Sequence, residues 1–278
     1  LHEGHILAIK GIGGIHLAVD ASNHEAVLRL RSRKKRYGKA FALMAKDEQS
    51  ITHYAKVEKQ ESHLLNHPSA PIVLLEALPN NSSLSKAIAP AQSRLGFMLP
   101  YSPLHHLLMA QAKTPIVLTS GNRSDEPQCF TNQQASESLA DIADYFLLHN
   151  REINNRLDDS VAMVMHHKPR LLRRARGYAP TPILLHESFA SATPILAMGG
   201  ELKSTFCQLR GGQAIVSQHL GDLEHAESHH NYRRTLDLYK QMFAFTPALI
   251  AVDSHPNYFS TQQGQQISEV SGIDLLHV

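Results

Sequence analysis

Tryptophan is absent, aromatic residues make up only 6% of the chain, and there are just two cysteines, Cys129 and Cys207. The cysteines stand far apart and neither belongs to a Cys-x-x-Cys pair, which argues against a disulfide framework and a cysteine-rich zinc site. No run approaches the roughly 20 apolar residues a membrane-crossing helix needs. No basic stretch followed by an apolar core and a cleavage site opens the sequence. No membrane association is expected, and a cytoplasmic setting is the default reading. Charge of one sign is missing too: 27 Lys and Arg face 25 Asp and Glu. Duplex binding usually needs basic residues spread over a whole face, so RNA binding is not expected to be the main role. Familiar nucleotide signatures also fail. There is no Gly-Lys-Ser/Thr, and in "KGIGGIH" (residues 10–16) His16 stands where a dinucleotide fingerprint would put its last Gly. "LHEGH" at the start is one residue short of H-E-x-x-H, which excludes a zincin.

What is present alternates. "HILAIK" and "AFALMA" read as buried strands, and "SNHEAVLRLRSRKK" reads as a helix with Ser22 or Asn23 as its N-cap. "APIVLLEA" and "TPIVLTS" are further strands with "SPLHHLLMAQA" as a helix between them, the alternation of an α/β layered domain. A polar, aperiodic break follows at residues 186–193. Beyond it "PILAMGG", "TFCQLRGG" and "QAIVSQHL" predict three short strands, the last two a hairpin across Gly211 and Gly212. A helix, a strand, a helix and a last strand complete a β-β-β-α-β-α-β order. That is the opening of an actin-like or ribonuclease-H-like lobe. Both ends read as cut from a longer polypeptide.

Four stretches carry candidate chemistry. Arg31, Arg33, Lys34, Lys35, Arg36 and Lys39 crowd "RSRKKRYGK". Three readings stay open there: a solvated helix end, a phosphate cradle and a nucleic-acid patch. Thr119, Ser120, Gly121 and Asn122 follow a buried strand, where open α/β sheets place ligands. Taken singly, that tetrapeptide is more commonly an ordinary Gly-Asn turn. Asp158, Asp159 and Ser160 precede an apolar strand, and Arg173, Arg174 and Arg176 cluster before Gly177. They read either as a capped turn and a solvated edge strand, or as a second basic wall for phosphates with a carboxylate for magnesium. Lys10 and the glycines after it mark a tight, phosphate-friendly turn. Of 19 histidines, His225 and His229 lie one helical turn apart, a spacing that zinc uses but surface histidines share.

In order, "AIKGIGGIHLAVDA", "RKKRYGKAFALM", "LPYSPLHHLL", "TSGNRSDEP", "NRLDDSVAMV" and "LRRARGYAP" resemble the YrdC-like domain of the HypF carbamoyltransferases, which serve NiFe-hydrogenase maturation. "GGELKSTFCQLRGGQAIVSQHLGDL" and "VDSHPNYFST" resemble the start of their Kae1-like domain. The resemblance implies a YrdC-like twisted open mixed sheet with helices over residues 1–187. It implies the first part of a Kae1-like lobe over residues 194–278. It also implies the reaction: carbamate from carbamoyl phosphate condenses with ATP to carbamoyl-adenylate, and the carbamoyl group passes to the C-terminal Cys of the partner HypE. The Lys-x-Arg and Ser-x-Asn elements fall on Lys34, Arg36, Ser120 and Asn122, the expected catalytic set. Lys10, Thr119, Gly121, Arg156, Asp159, Ser160, Arg174 and Arg176 are expected around ATP and magnesium, with no resident metal site. The sequence departs from the family pattern at Tyr37 and Ala40, where Pro is frequent, and at Leu157, where Cys is. This piece is expected to activate carbamate but not to deliver it. Two other functions compete: a threonylcarbamoyl-adenylate synthase of the Sua5/YrdC type, which lacks a Kae1-like opening, and a non-catalytic RNA-binding module.

Overall fold

The computed structural model describes residues 1–79, 83–123 and 126–278, and the chain divides into two compact units, Leu1–Gly177 and Tyr178–Val278. In the first, strands β1 (Leu7–Lys10), β2 (Ile15–Asp20), β3 (Ala42–Met44), β4 (Ile72–Glu76), β5 (Arg94–Met98), β6 (Ile116–Ser120), β7 (Tyr145–Leu147), β8 (Val161–Met165) and β9 (Lys168–Arg173) form one mixed sheet. Its order is β7-β1-β2-β6-β3-β5-β4-β8-β9. The β1–β7, β3–β5 and β4–β8 pairs are parallel and the other ladders antiparallel. Helices α1 (His24–Lys34), α2 (Glu48–Ile51), α3 (Lys59–Leu65), α4 (Pro103–Gln111) and α5 (Asn132–Ser138) accompany it.

Strand alternation sorts the side chains of β2 between two cores. Ile15, Leu17 and Val19 pack with Ala26, Val27 and Leu30 of α1. Ala18 packs with Ile116 and Leu118 of β6 and Met109 of α4. Each fully buried branched side chain contributes about 1.5–3 kcal/mol. Asn23 caps α1, its side-chain oxygen accepting from the Ala26 N–H at 3.0 Å. Ser102 caps α4 with Pro103 just inside, the arrangement that favours a sharp helix start.

The second unit is a six-stranded sheet of order β10-β13-β12-β11-β14-β15, formed by β10 (Ile183–Leu184), β11 (Ile195–Ala197), β12 (Cys207–Arg210), β13 (Gln213–Val216), β14 (Leu249–Val252) and β15 (Asp274–His277). With α6 (Ala226–Met242) and α7 (Phe259–Ser271), the order from β11 onward is the β-β-β-α-β-α-β series expected from sequence. Gly211 and Gly212 make the hairpin turn with φ of 57° and 72°, a conformation that β-carbons disfavour. Strand β10 was not expected. It pairs with β13 and lies in this unit, ahead of the 186–193 break, so the division falls before residue 187. Tyr232 and Tyr239 of α6 set edge-on against Phe206, and their hydroxyls donate to the Met198 carbonyl and the Gln218 amide oxygen at 2.7 and 2.8 Å. His229 has its Nε2 2.7 Å from the Leu223 carbonyl and stacks on Phe259 at 3.7 Å, and no metal-holding cluster occurs among the described residues. Nor, among those residues, is any helix long and apolar enough to cross a membrane.

Candidate active site

The crowded cations do not behave as one patch. Helix α1 ends where Lys35 enters the left-handed region (φ 53°), and the Arg36 N–H closes back on the Arg31 carbonyl at 3.0 Å. This reversal sends successive side chains in different directions. Arg31 is buried and donates to the carbonyls of Ala87, Ile88, Arg36 and Lys39, with its guanidinium 4.4 Å from the centre of the Phe41 ring. It holds the 36–41 loop in place. Arg36 donates to the Lys39 and Ala40 carbonyls at 3.3 and 2.7 Å, folding over the same loop.

Lys34 turns inward and is 1% exposed. Its amine donates to the carbonyls of Ser120 and Asn122 at 2.7 and 2.6 Å and to the Asn122 side-chain oxygen at 2.6 Å. Ser120 Oγ donates to that same oxygen at 2.6 Å, and Asn122 Nδ2 donates to the Glu126 carbonyl at 2.5 Å. Residues 86 positions apart or more thus meet at the end of β6. Gly121 lies between them with its N–H donating to the Ile15 carbonyl at 2.6 Å, and Thr119 is buried one residue back. Lys34, Ser120 and Asn122 are brought together. Arg36 lies in the same loop region but is tied to its own backbone.

A second cluster surrounds Asp159. The glycine turn after β1 explains how it gets there: a β-carbon on Gly13 would lie 2.5 Å from the Leu157 carbonyl oxygen, and the Leu157 N–H donates to the Gly13 carbonyl at 2.9 Å. Close approach, not phosphate geometry, is what this turn requires of glycine. It clasps the 156–158 segment against β1 and β2, carrying buried Arg156 and then Asp159 into the sheet. Arg176 donates from Nη2 and Nε to Asp159 Oδ1 at 3.0 and 3.3 Å, and to the Ser69 and Ala70 carbonyls at 2.9 and 2.8 Å. Its guanidinium lies 3.5 Å from the centre of the Tyr101 ring, whose hydroxyl donates to Oδ1 at 3.3 Å. Ser160 is fully buried, donating to the Arg176 carbonyl and accepting from the Ala175 N–H.

Two expectations change here. Arg176 is an internal strut rather than part of an open basic wall, because three oxygens and a ring already hold it. Asp159 is not a carboxylate offered to magnesium, being neutralised by Arg176. Burial alone would raise its pKa, but His16 and Arg176 overcome this and hold it below the ordinary carboxylate range. The described residues hold no cluster suited to a resident metal ion. Lys10 is likewise internal, its amine donating to the His149 carbonyl at 3.0 Å. Arg173 ends the exposed edge strand β9, and Arg174 follows it.

Sequence reasoning missed His16, Tyr101 and His105. His16 stands directly opposite Ser120 in the β2–β6 ladder, and its Nε2 lies 3.5 Å from Asp159 Oδ2. The His105 ring, on α4, lies 4.3 Å from the Tyr101 ring and 6.5 Å from that of His16, edge to face in both cases. Burial pushes the His105 pKa down to about 4. His16 links the two clusters, because its partner strand carries Ser120 and its ring carries Asp159.

Comparison with known proteins places the chain in a family. Residues 1–175 match the Sua5/YciO/YrdC family, described as telomere recombination, and residues 190–278 match the HypF Kae1-like domain. This chain belongs to the HypF family. "Carbamoyltransferase HypF" of Rhodobacter capsulatus is 42% identical over the whole of this chain, which spans 37% of that protein. A full-length HypF solved in its phosphate- and nucleotide-bound form is 47% identical, with a TM-score of 0.94, over 100% of this chain and 43% of that one. P. abyssi Sua5 complexed with L-threonine superposes over 99% of this chain and 93% of its own, with a TM-score of 0.56 and 15% identity, a likeness of fold alone. The chain therefore corresponds to well under half the length of its HypF relatives, and combines two of their domains.

Proposed function

We propose that the first unit of this HypF-family chain activates a carbamate with ATP. The carbamate derives from carbamoyl phosphate, and the carbamoyl group passes by way of the Kae1-like part to the C-terminal Cys of HypE. In the activation step a carbamate oxygen attacks the α-phosphorus, the bond to the β-phosphate oxygen breaks, and pyrophosphate leaves with the electron pair. The product is carbamoyl-adenylate. Such displacement depends mainly on positioning and on charge placed where negative charge gathers. Lys34 supplies a buried ammonium, fixed by the Ser120–Asn122 turn, at the strand end where an α/β sheet binds ligands. Arg36, in the loop beyond α1, adds a second cation near the phosphates. ATP is the nucleotide this reading implies. The nucleotide-bound state of the HypF relative supports the choice.

The observation that carries the proposal is the Lys34 amine locked onto Ser120 and Asn122 in a chain that continues into a HypF Kae1-like domain. That continuation favours carbamate over the larger threonyl acid of a Sua5-type enzyme, and catalysis over an RNA-binding role. Cys129 and Cys207 are not joined in a disulfide, which accords with the cytoplasmic setting that we include in the reading. The test is exchange of labelled pyrophosphate into ATP by this chain, with carbamate supplied from ammonium bicarbonate. Mass spectrometry of the HypE C-terminal Cys, with the complete protein, follows delivery. Exchange that requires carbamate supports the proposal. Exchange that requires threonine together with bicarbonate, or none with either acid, overturns it.

A further inference from the structure

His16 is 4% exposed, and its Nδ1 is buried without a hydrogen-bond partner. A buried polar atom left unpaired is costly, and native structures keep few of them. The other ring nitrogen explains which kind of group is missing. Nε2 faces Asp159 Oδ2 at 3.5 Å, and Oδ1 of that carboxylate is already held by Arg176 and Tyr101. In a neutral ring, a fixed carboxylate opposite Nε2 places the single proton there. Nδ1 is then an acceptor and calls for a donor. Gly11 is a close neighbour of this atom, and a β-carbon there would lie 3.0 Å from Nδ1. His16 also stands opposite Ser120, whose hydroxyl and carbonyl belong to the Lys34 turn.

We infer that His16 Nδ1 accepts a hydrogen bond from the amino group of the small acid, making His16 the residue that distinguishes a carbamate from a carboxylate without N–H. This rests on the activation chemistry proposed above and adds the determinant of substrate choice. Asp159, Arg176 and Tyr101 act through His16: they fix its tautomer and orientation and do not touch substrate.

The consequence is confined to one substrate. In the exchange assay, His16→Phe keeps the ring shape and removes both nitrogens, the acceptor Nδ1 and the Nε2 that faces Asp159. It is expected to raise KM for carbamate roughly three- to tenfold, the range of one ordinary hydrogen bond, while KM for ATP stays within about twofold. His16→Asn, whose amide oxygen can occupy the Nδ1 position, is expected to recover part of the loss. Equal changes in both KM values, or an unchanged carbamate KM, overturn the inference. A second measurement stands apart from turnover. With histidine labelled by nitrogen-15, His16 should show an unprotonated Nδ1 that shifts on adding ammonium bicarbonate, which contains carbamate, and not potassium bicarbonate. A protonated Nδ1, no shift, or equal shifts with both salts overturn the inference even if exchange proceeds. Absence of exchange by the unsubstituted chain, with the selective shift present, instead places the fault in the proposed ATP chemistry.

Discussion

Two buried cations organise the first unit, and they are held differently. Lys34 donates to two main-chain carbonyls and one amide oxygen. Arg176 donates to two carbonyls and to a carboxylate. Neutral oxygens orient an ammonium without cancelling its field, whereas a carboxylate cancels most of what a guanidinium projects. A cation that must act on a phosphate belongs in the first setting, and one that must join segments in the second. The sequence offers both as basic residues in short windows. Their partners, which the sequence does not show, are what distinguish the two.

The largest effect should come from breaking the second arrangement. Arg176→Ala leaves Asp159 buried without its principal counter-charge and strips the Ser69 and Ala70 carbonyls of their donor. Removing one partner of a buried pair costs about 3–5 kcal/mol. The urea midpoint should fall accordingly, and Arg176→Lys should restore only part of it, since an ammonium cannot fork between carboxylate and carbonyls. A midpoint within error of the unsubstituted chain would show that the pair is dispensable and would erase the contrast with Lys34.

The next effect comes from turning the first arrangement into a likeness of the second. Asn122→Asp sets a carboxylate against the Lys34 amine. The new ion pair offsets part of the lost Nδ2 bond to the Glu126 carbonyl. Stability should change less than in Arg176→Ala, while ATP affinity measured by calorimetry falls tenfold or more, a cost of about 1.4 kcal/mol or above. An unchanged affinity would mean that the charge at Lys34 does not face the nucleotide.

How much of this was legible follows from what is local. The apolar runs of β1, β3, β4 and β6, the Asn23 cap and the Gly211–Gly212 hairpin depend on neighbours in sequence, and each was readable there. So were Lys34, Ser120 and Asn122 as candidates, through the family motifs that contain them. The roles of Arg31, Arg176 and Asp159 were not, because each is set by carbonyls or charges from distant segments. Arg31 looks like any helix-end cation until the Ala87 and Ile88 carbonyls appear beside it. His16 looked like a failed glycine position, and its meaning depends on the strand register that sets it opposite Ser120. Strand β10 is two exposed apolar residues, too short for any period to reveal.

The smallest effect concerns His105, and it sharpens the comparison by asking what an uncharged buried ring costs. The ring is 1% exposed and neither nitrogen has a hydrogen-bond partner. Burial holds its pKa down to about 4, against roughly 6.5 for an imidazole in the unfolded chain. Between these values the unfolded state binds a proton that the folded state refuses, so stability rises with pH there. The contribution of the neutral ring is fully present above about pH 6.5 and is lost progressively as pH falls through about 4. At one pKa unit per 1.36 kcal/mol the span amounts to at most about 3 kcal/mol. His105→Phe keeps the edge-to-face packing on Tyr101 and removes both orphaned nitrogens, a replacement that is commonly neutral or stabilising. Its midpoint at pH 7 should therefore lie within about 1 kcal/mol of the unsubstituted chain, with a visible gain at pH 5. The slope of stability between pH 4 and 6.5 should flatten in the variant. The two curves staying parallel across that range would show that the buried ring titrates like an exposed one, and that its packing against His16 and Tyr101 leaves its charge free to change.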